Sequence, residues 1–169
     1  VETEHNLTHI PKDASCPSCQ QAKMQRRQCR KSQDEKHGAE KFGDIVTIDH
    51  IVTLHPDAMA HDGACNAVVF RDLATGWLEV FPTALKDEEE AYKWLNPIEG
   101  PGESIKLART DDADELKNAV QRLGWKSSPA TLRRPQTNGV AERSVRTALE
   151  GARTLLLHAG LDKRWLSRA

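Results

Sequence analysis

Asp44-Ile45-Val46-Thr47-Ile48-Asp49-His50-Ile51-Val52-Thr53-Leu54 is the stretch on which the architecture turns. Seven of its eleven side chains are β-branched, a composition that fits a pleated strand and resists a helix. The apolar run is nearly continuous rather than alternating, so the strand reads as buried on both faces. Asp49 interrupts it. A carboxylate among apolar neighbours is costly unless something neutralises it, so Asp49 is either a site residue or a side chain reaching solvent from an edge strand.

Working outward from this strand, Ala64–Phe70 and Trp77–Phe81 read as two more, joined by Asp72-Leu-Ala-Thr-Gly76 as a hairpin turn. Asp87-Glu-Glu-Glu90, followed by Ala91, Trp94 and Leu95, predicts a short helix with acids at its positive N-terminal end and Pro97 to stop it. Gly100-Pro-Gly102 predicts a turn, and Glu103–Thr110 a fourth strand. Asp112-Ala-Asp-Glu115 looks like a capping box, after which Leu116, Ala119, Val120 and Leu123 fall at helical spacing and Gly124 closes the helix. Trp125–Ala130 reads as a fifth strand. Thr131–Gly139 reads as a basic loop leading into a long helix through about Ala159. The order βββαβαβα predicts an α/β fold, a mixed five-stranded sheet flanked by helices.

The 169 residues suffice for one domain with a real core plus a short appendage, and 38% hydrophobic residues argue against disorder. No apolar run approaches the roughly 20 residues a membrane span needs, and no basic-then-apolar leader is present. Val1 and Ala169 read as cuts through a longer chain. The net charge of −1 hides a division. Residues 1–37 hold 7 basic and 5 acidic side chains, residues 38–125 hold 8 and 17, and residues 126–169 hold 9 and 3. An acidic middle between basic ends suits a carboxylate cluster for divalent cations beside phosphate-gripping surfaces, and suits equally well a merely solvated acidic face.

Two boundaries follow: a His/Cys segment with a basic linker over 1–37, and a catalytic-type core over 38–169. In the first, His5-x3-His9 and Cys16-x2-Cys19 offer two imidazoles and two thiols, the number a closed tetrahedral zinc site needs. Cys29 and His37 are possible substitutes, and Cys65, placed in a strand, reads as core. In the second, Asp111 falls at the end of a strand before a helix, a usual place for site residues in such sheets, though it could also simply cap that helix. On the long helix Val145, Leu149, Ala152, Leu156 and Ala159 form an apolar stripe, and Arg143, Arg146 and Arg153 with Glu150 a charged one. Glu142 sits at the border between them, where a first-turn acid would in any case be favoured by the helix dipole.

Thr131-Leu-Arg-Arg-Pro-Gln-Thr-Asn-Gly-Val-Ala-Glu142-Arg-Ser-Val-Arg resembles the Pro-Gln-x-Asn-Gly-x-x-Glu-Arg helix start of LTR-retrotransposon and retroviral integrases. Asp44–Asp49 resembles their first catalytic strand, and Arg109-Thr-Asp111-Asp-Ala-Asp-Glu115-Leu their second. Trp77 after Ala74-Thr-Gly76 fits the hairpin between their second and third strands, and Gly160-Leu-Asp-Lys-Arg-Trp165 is similar to the motif that follows the catalytic helix in copia-type elements. Cys16-Pro-Ser-Cys-Gln-Gln-Ala-Lys23 looks like the end of their His-His-Cys-Cys module.

The resemblance, spanning nearly the whole chain, implies an RNase H-like fold and a catalytic triad of Asp49, Asp111 and Glu142. It implies two Mg²⁺ (or Mn²⁺) ions, Asp49 bridging both and Asp111 and Glu142 taking one each. It also implies 3′-end processing and strand transfer of element DNA into target DNA, oligomerisation of the full-length enzyme, and work in the nucleus. Arg133, Arg134, Arg143 and Arg146 would neutralise phosphates, Asn138 would contact a DNA end, and Lys23, Arg26 and Arg27 would add basic contacts. The chain departs from the family in three places. Only 30 residues separate Asp111 from Glu142, fewer than usual; Asp112 stands where Asn is usual; and only six residues separate His9 from Cys16, too few for the usual three-helix module. Three rivals therefore stay open: a decayed or domesticated DNA-binding module of the same fold, a metal-dependent nuclease on it, and a zinc-binding interaction protein.

Overall fold

The computed structural model describes residues 5–6, 9–22, 38–53, 59–111, 113–129 and 135–169, side chains within 129–138 excepted. Its centre is a mixed five-stranded sheet in the order β3-β2-β1-β4-β5. The strands are β1 (Val46–Val52), β2 (Asn66–Asp72), β3 (Leu78–Thr83), β4 (Leu107–Thr110) and β5 (Lys126–Pro129). β1, β2 and β3 form antiparallel pairs, whereas β1, β4 and β5 run parallel. β1 is therefore the middle strand, and Asp49 is not on an edge. The helices are α1 (Pro17–Ala22), α2 (Glu88–Leu95), α3 (Asp114–Arg122) and α4 (Pro135–Ala159), with 3₁₀ turns at Asn96–Ile98 and Lys163–Arg168.

Alternation along the strands sorts the side chains into two layers. Val46 and Ile48 of β1, Val68 and Phe70 of β2, and Ala108 of β4 pack with Ala91 and Leu95 of α2 and Leu116, Ala119 and Val120 of α3. The opposite parity of β1, with Thr47, Asp49 and Ile51, faces α4, which packs across β1, β2 and β3. The helical signals hold in detail. Asp87 caps α2 by accepting from the Glu90 amide (2.9 Å), and Gly124 closes α3 at φ +78°. At the hairpin, Asp72 is fully buried and its carboxylate ties down Thr75. Among the described residues no helix is long and apolar enough to cross a membrane.

Several boundaries differ from the sequence expectations, for identifiable reasons. β1 covers Val46–Val52, since Asp44 turns aside to accept from the Glu40 and Lys41 amides and to pair with Lys106. β2 runs on through Arg71 and Asp72 and begins at Asn66, leaving Cys65 outside the strand and half-buried, its thiol on the Ala84 carbonyl (3.0 Å). β3 reaches Thr83. β4 is only Leu107–Thr110, because Glu103 and Ile105 are held by turn contacts to Gly100 and Glu99. The capping box is absent: α3 starts at Asp114 after Ala113, which has no side-chain cap. α4 begins at Pro135, so part of the expected basic loop is helical, in keeping with proline's preset φ at a helix start. Leu54, Asp112 and residues 130–134 lie outside the described residues.

Candidate functional site

The parallel register pairs Ile48 of β1 with Thr110 of β4. Asp49, in the middle of β1, and Asp111, just past the end of β4, are each one residue further on, so the two acids lie side by side on neighbouring parallel strands whose backbones run about 4.8 Å apart. Asp49 shares the parity that faces α4. From α4, Glu142 is close enough for its charge to act on Asp49. Burial raises the Asp49 pKa above the ordinary carboxylate value, and Asp111 and Glu142 raise it further; the His50 amide and Lys86 oppose them. One Asp49 oxygen accepts from the His50 amide (2.8 Å), and one Asp111 oxygen from the Ala113 amide (3.1 Å), which orients both carboxylates and leaves the remaining oxygens available. Asp111 and Asp49 are half-buried and Glu142 is exposed. The three are grouped but not in contact as a ligand set. Among the described residues, only the His5, His9, Cys16 and Cys19 ligand atoms all lie within 4.8 Å of one another.

Lys86 was not singled out from the sequence. It follows β3, lies 3.8 Å from Glu115, and acts electrostatically on both Asp49 and His50. His50 has the parity of the buried α2/α3 layer, where burial and then Lys86 lower its pKa while Asp111 and Glu115 oppose them. Nothing in a lysine's local sequence signals that a hairpin will carry it back beside the central strand. Of the expected nucleic-acid contacts, Arg143 and Arg146 are exposed on α4, as is Arg153. Lys23, Arg26, Arg27, Arg133 and Arg134, the Asn138 side chain, and the substitute ligands Cys29 and His37 lie outside the described residues.

The amino-terminal quartet is compact. The His9 amide donates to the His5 carbonyl (2.6 Å), and His9 itself is in the left-handed region at φ +51°. Both imidazoles thereby face the same side, with ring centroids 4.9 Å apart. Cys16 and Cys19 flank the start of α1. His9 Nδ1 lies 3.6 Å from Cys16 Sγ and 3.5 Å from Cys19 Sγ, and His5 Nε2 lies 3.6 Å from Cys19 Sγ. A tetrahedral zinc with bonds of about 2.3 Å to sulfur and 2.0–2.1 Å to nitrogen would set its N···S edges at about 3.5 Å. Donor chemistry and spacing both fit: the four residues could hold a metal ion such as zinc. The six-residue gap between His9 and Cys16 is enough for a knuckle.

The stripe by which α4 packs keeps Leu149, Ala152 and Leu156 of the one expected but is broader and turned toward Ser144. Ala141 and Ser144 are buried, and Ala148, Ala152 and Leu155 face Ile51, Ala67 and Val80 across an apolar cavity of ≈ 330 Å³ that the three carboxylates do not line. Ala159 is exposed. Buried Ser144 and Thr154 satisfy their hydroxyls on the carbonyls of Val140 and Glu150, four residues back, so they serve as small core residues despite being polar. Glu142 consequently lies outside the buried stripe, exposed on the same side of α4 as Arg146 one turn on. No protein-family model and no curated protein matches the chain.

Proposed function

We propose that the chain is the catalytic region of a retroelement integrase, an RNase H-like core that processes element DNA ends and joins them to target DNA, preceded by a zinc knuckle. The observation that carries this reading is the adjacency of Asp49, in the middle of β1, and Asp111, where the neighbouring parallel strand β4 ends, with Glu142 acting on Asp49 from α4. The mixed sheet with helices on both faces agrees with the RNase H-like architecture the sequence resemblance implies.

Asp49, Asp111 and Glu142 would hold the divalent ions. All their donors are carboxylate oxygens, which suit Mg²⁺ or Mn²⁺, and their mutual repulsion is what a bound cation relieves. When bound, two such ions supply an activated oxygen nucleophile and stabilise the leaving oxygen of a phosphodiester. The chain's own contribution is positional. β1 fixes the Asp49 carboxylate and the end of β4 that of Asp111, the His50 and Ala113 amides orient them, and α4 carries Glu142. Arg143 and Arg146, adjoining Glu142 on the exposed side of α4, would hold backbone phosphates without reading sequence.

The test is product formation with Mg²⁺ or Mn²⁺, comparing the parent chain with Glu142→Gln on a matched terminal DNA and on a branched disintegration substrate. Loss of product in the variant is expected; equal product from both rejects the triad. Hydrolysis without joining would identify the nuclease reading instead, and DNA binding with no reaction in either chain the decayed module. For the knuckle, one zinc per chain is expected by elemental analysis, lost on Cys16→Ser. Finding none refutes that assignment.

A further inference from the structure

The amino-terminal segment is packed on the same helix that carries Glu142. α1 lies against α4, which also spans β1, β2 and β3. The contact includes the ring of His9 against the ring of His158, centroids 5.1 Å apart and planes at 67°. One turn before His158, and on the same side of α4, Thr154 is fully buried. That side is turned well away from the Ala141–Ala148–Leu155 stripe that meets the sheet, so α4 is gripped on two flanks.

The segment that supplies the second grip has almost no core of its own. Among its described residues, 5–6 and 9–22, only His9 and Cys19 are buried, and both belong to the metal-binding quartet. A peptide this short cannot bury enough apolar surface to hold a shape unaided, so a bound ion would supply most of the free energy that keeps it folded. His9, moreover, is at once a ligand and the residue that meets α4.

We infer that the His5–His9–Cys16–Cys19 site is a clamp on α4, its metal occupancy controlling how firmly the helix is seated through the His9–His158 contact. The inference rests on the zinc assignment above but not on integrase activity. With metal bound, the knuckle is rigid and α4 is held both on the sheet and at its C-terminal half. Without it, the knuckle loosens and the His9–His158 contact is lost. His158 lies 16 residues from Glu142, about 24 Å along a helix axis, so its role is positional, transmitted by a single rigid element.

Hydrogen exchange on the whole chain, with and without a zinc chelator, reads this out directly. Chelation is expected to speed exchange of the amides of 150–159 about tenfold or more, a size ordinary for local opening, and to leave β1 and β2 unchanged. By reciprocity, His158→Ala should weaken zinc binding, measured by chelator competition, about fivefold or more while keeping one zinc per chain. Zinc bound normally, with α4 exchange insensitive to chelation, overturns the clamp and leaves the zinc assignment standing. Exchange that responds to chelation with zinc affinity untouched by His158→Ala overturns the part given to His158. No zinc bound by the parent chain overturns both assignment and clamp. Chelating the parent keeps the test decisive even where Cys16→Ser fails to fold.

Discussion

Replacing Gly43 with alanine should damage this fold far more than its place before the first strand suggests, and the structure gives the size of the effect. Gly43 has φ +81°, a left-handed conformation that costs an L-residue roughly 1–2 kcal/mol. A Cβ there would overlap the Ser104 carbonyl oxygen and lie 3.2 Å from its carbon and 3.4 Å from Ile105 Cα. The neighbours cannot easily give way. The Lys106 amide donates to the Gly43 carbonyl (2.8 Å), the Gly43 amide donates to the buried Asp72 carboxylate (3.0 Å), and Ile105 is buried. Forcing an atom into packed surroundings costs about 1–3 kcal/mol more, for a total of about 2–5 kcal/mol. For a chain of this size that is a fall in Tm of roughly 4–20 °C. Gly124→Ala is the control: φ is +78° but nothing lies within 4 Å, so only the conformational term of roughly 1–2 kcal/mol applies. Thermal and urea denaturation of both variants measures the difference. Equal losses would refute the reasoning, because the close approach to Ser104 would then be costless. The contact also joins the entries of β1 and β4. A shift there moves Asp111 relative to Asp49, so Gly43→Ala should also reduce the stabilisation gained from added Mg²⁺.

Asp72→Ala removes the acceptor for the amides of Gly43 and Thr75 and for the Thr75 hydroxyl, and leaves the buried Gly43 donor unpaired. A loss of about 2–4 kcal/mol in urea unfolding is expected, and an unchanged midpoint would show that the hairpin holds itself. Asp49→Asn should stabilise the cation-free protein at neutral pH. Because burial and the neighbouring carboxylates raise the Asp49 pKa when folded, the parent loses stability as pH rises from the ordinary 3.8 through that raised value, while the variant does not. The two curves should converge below 3.8, and a variant less stable than the parent at pH 7 would contradict the raised pKa. If Arg143 and Arg146 each neutralise a phosphate, replacing both with alanine should flatten the salt dependence of duplex DNA binding by about 1.8 in log–log slope, at about 0.9 per phosphate. An unaltered slope would place the DNA elsewhere.

The legible parts of this molecule are those in which one residue type does one job. β-branched runs gave β1 and the hairpin, and Leu116, Ala119 and Val120 at helical spacing gave α3, because burial of one face is a pattern that neighbouring residues share. The acids at 49 and 111 were legible from their setting, Asp49 as a charge within an apolar strand and Asp111 as a charge where a strand gives way to a helix. Where a residue's role depends on a distant partner, the sequence carries no local mark of it. Gly43 is constrained by Ser104, Asp72 serves an amide 29 residues upstream, and Lys86 is opposed to Asp49 only because β3 returns it there. The α4 stripe shows a subtler limit. A hydropathy wheel finds Leu149, Ala152 and Leu156 but counts Ser144 and Thr154 as polar and adds Ala159, whereas a hydroxyl bonded to the carbonyl four residues back is nearly as easy to bury as a methyl. Widening the buried stripe onto Ala141, Ser144 and Ala148 leaves Glu142 outside it. Glu142 then acts on Asp49 through its charge from the exposed side of α4 while the far end of the same helix meets the His/Cys segment, and a reading by hydropathy that assigns Ser144 and Thr154 to solvent misplaces part of the surface that α4 buries.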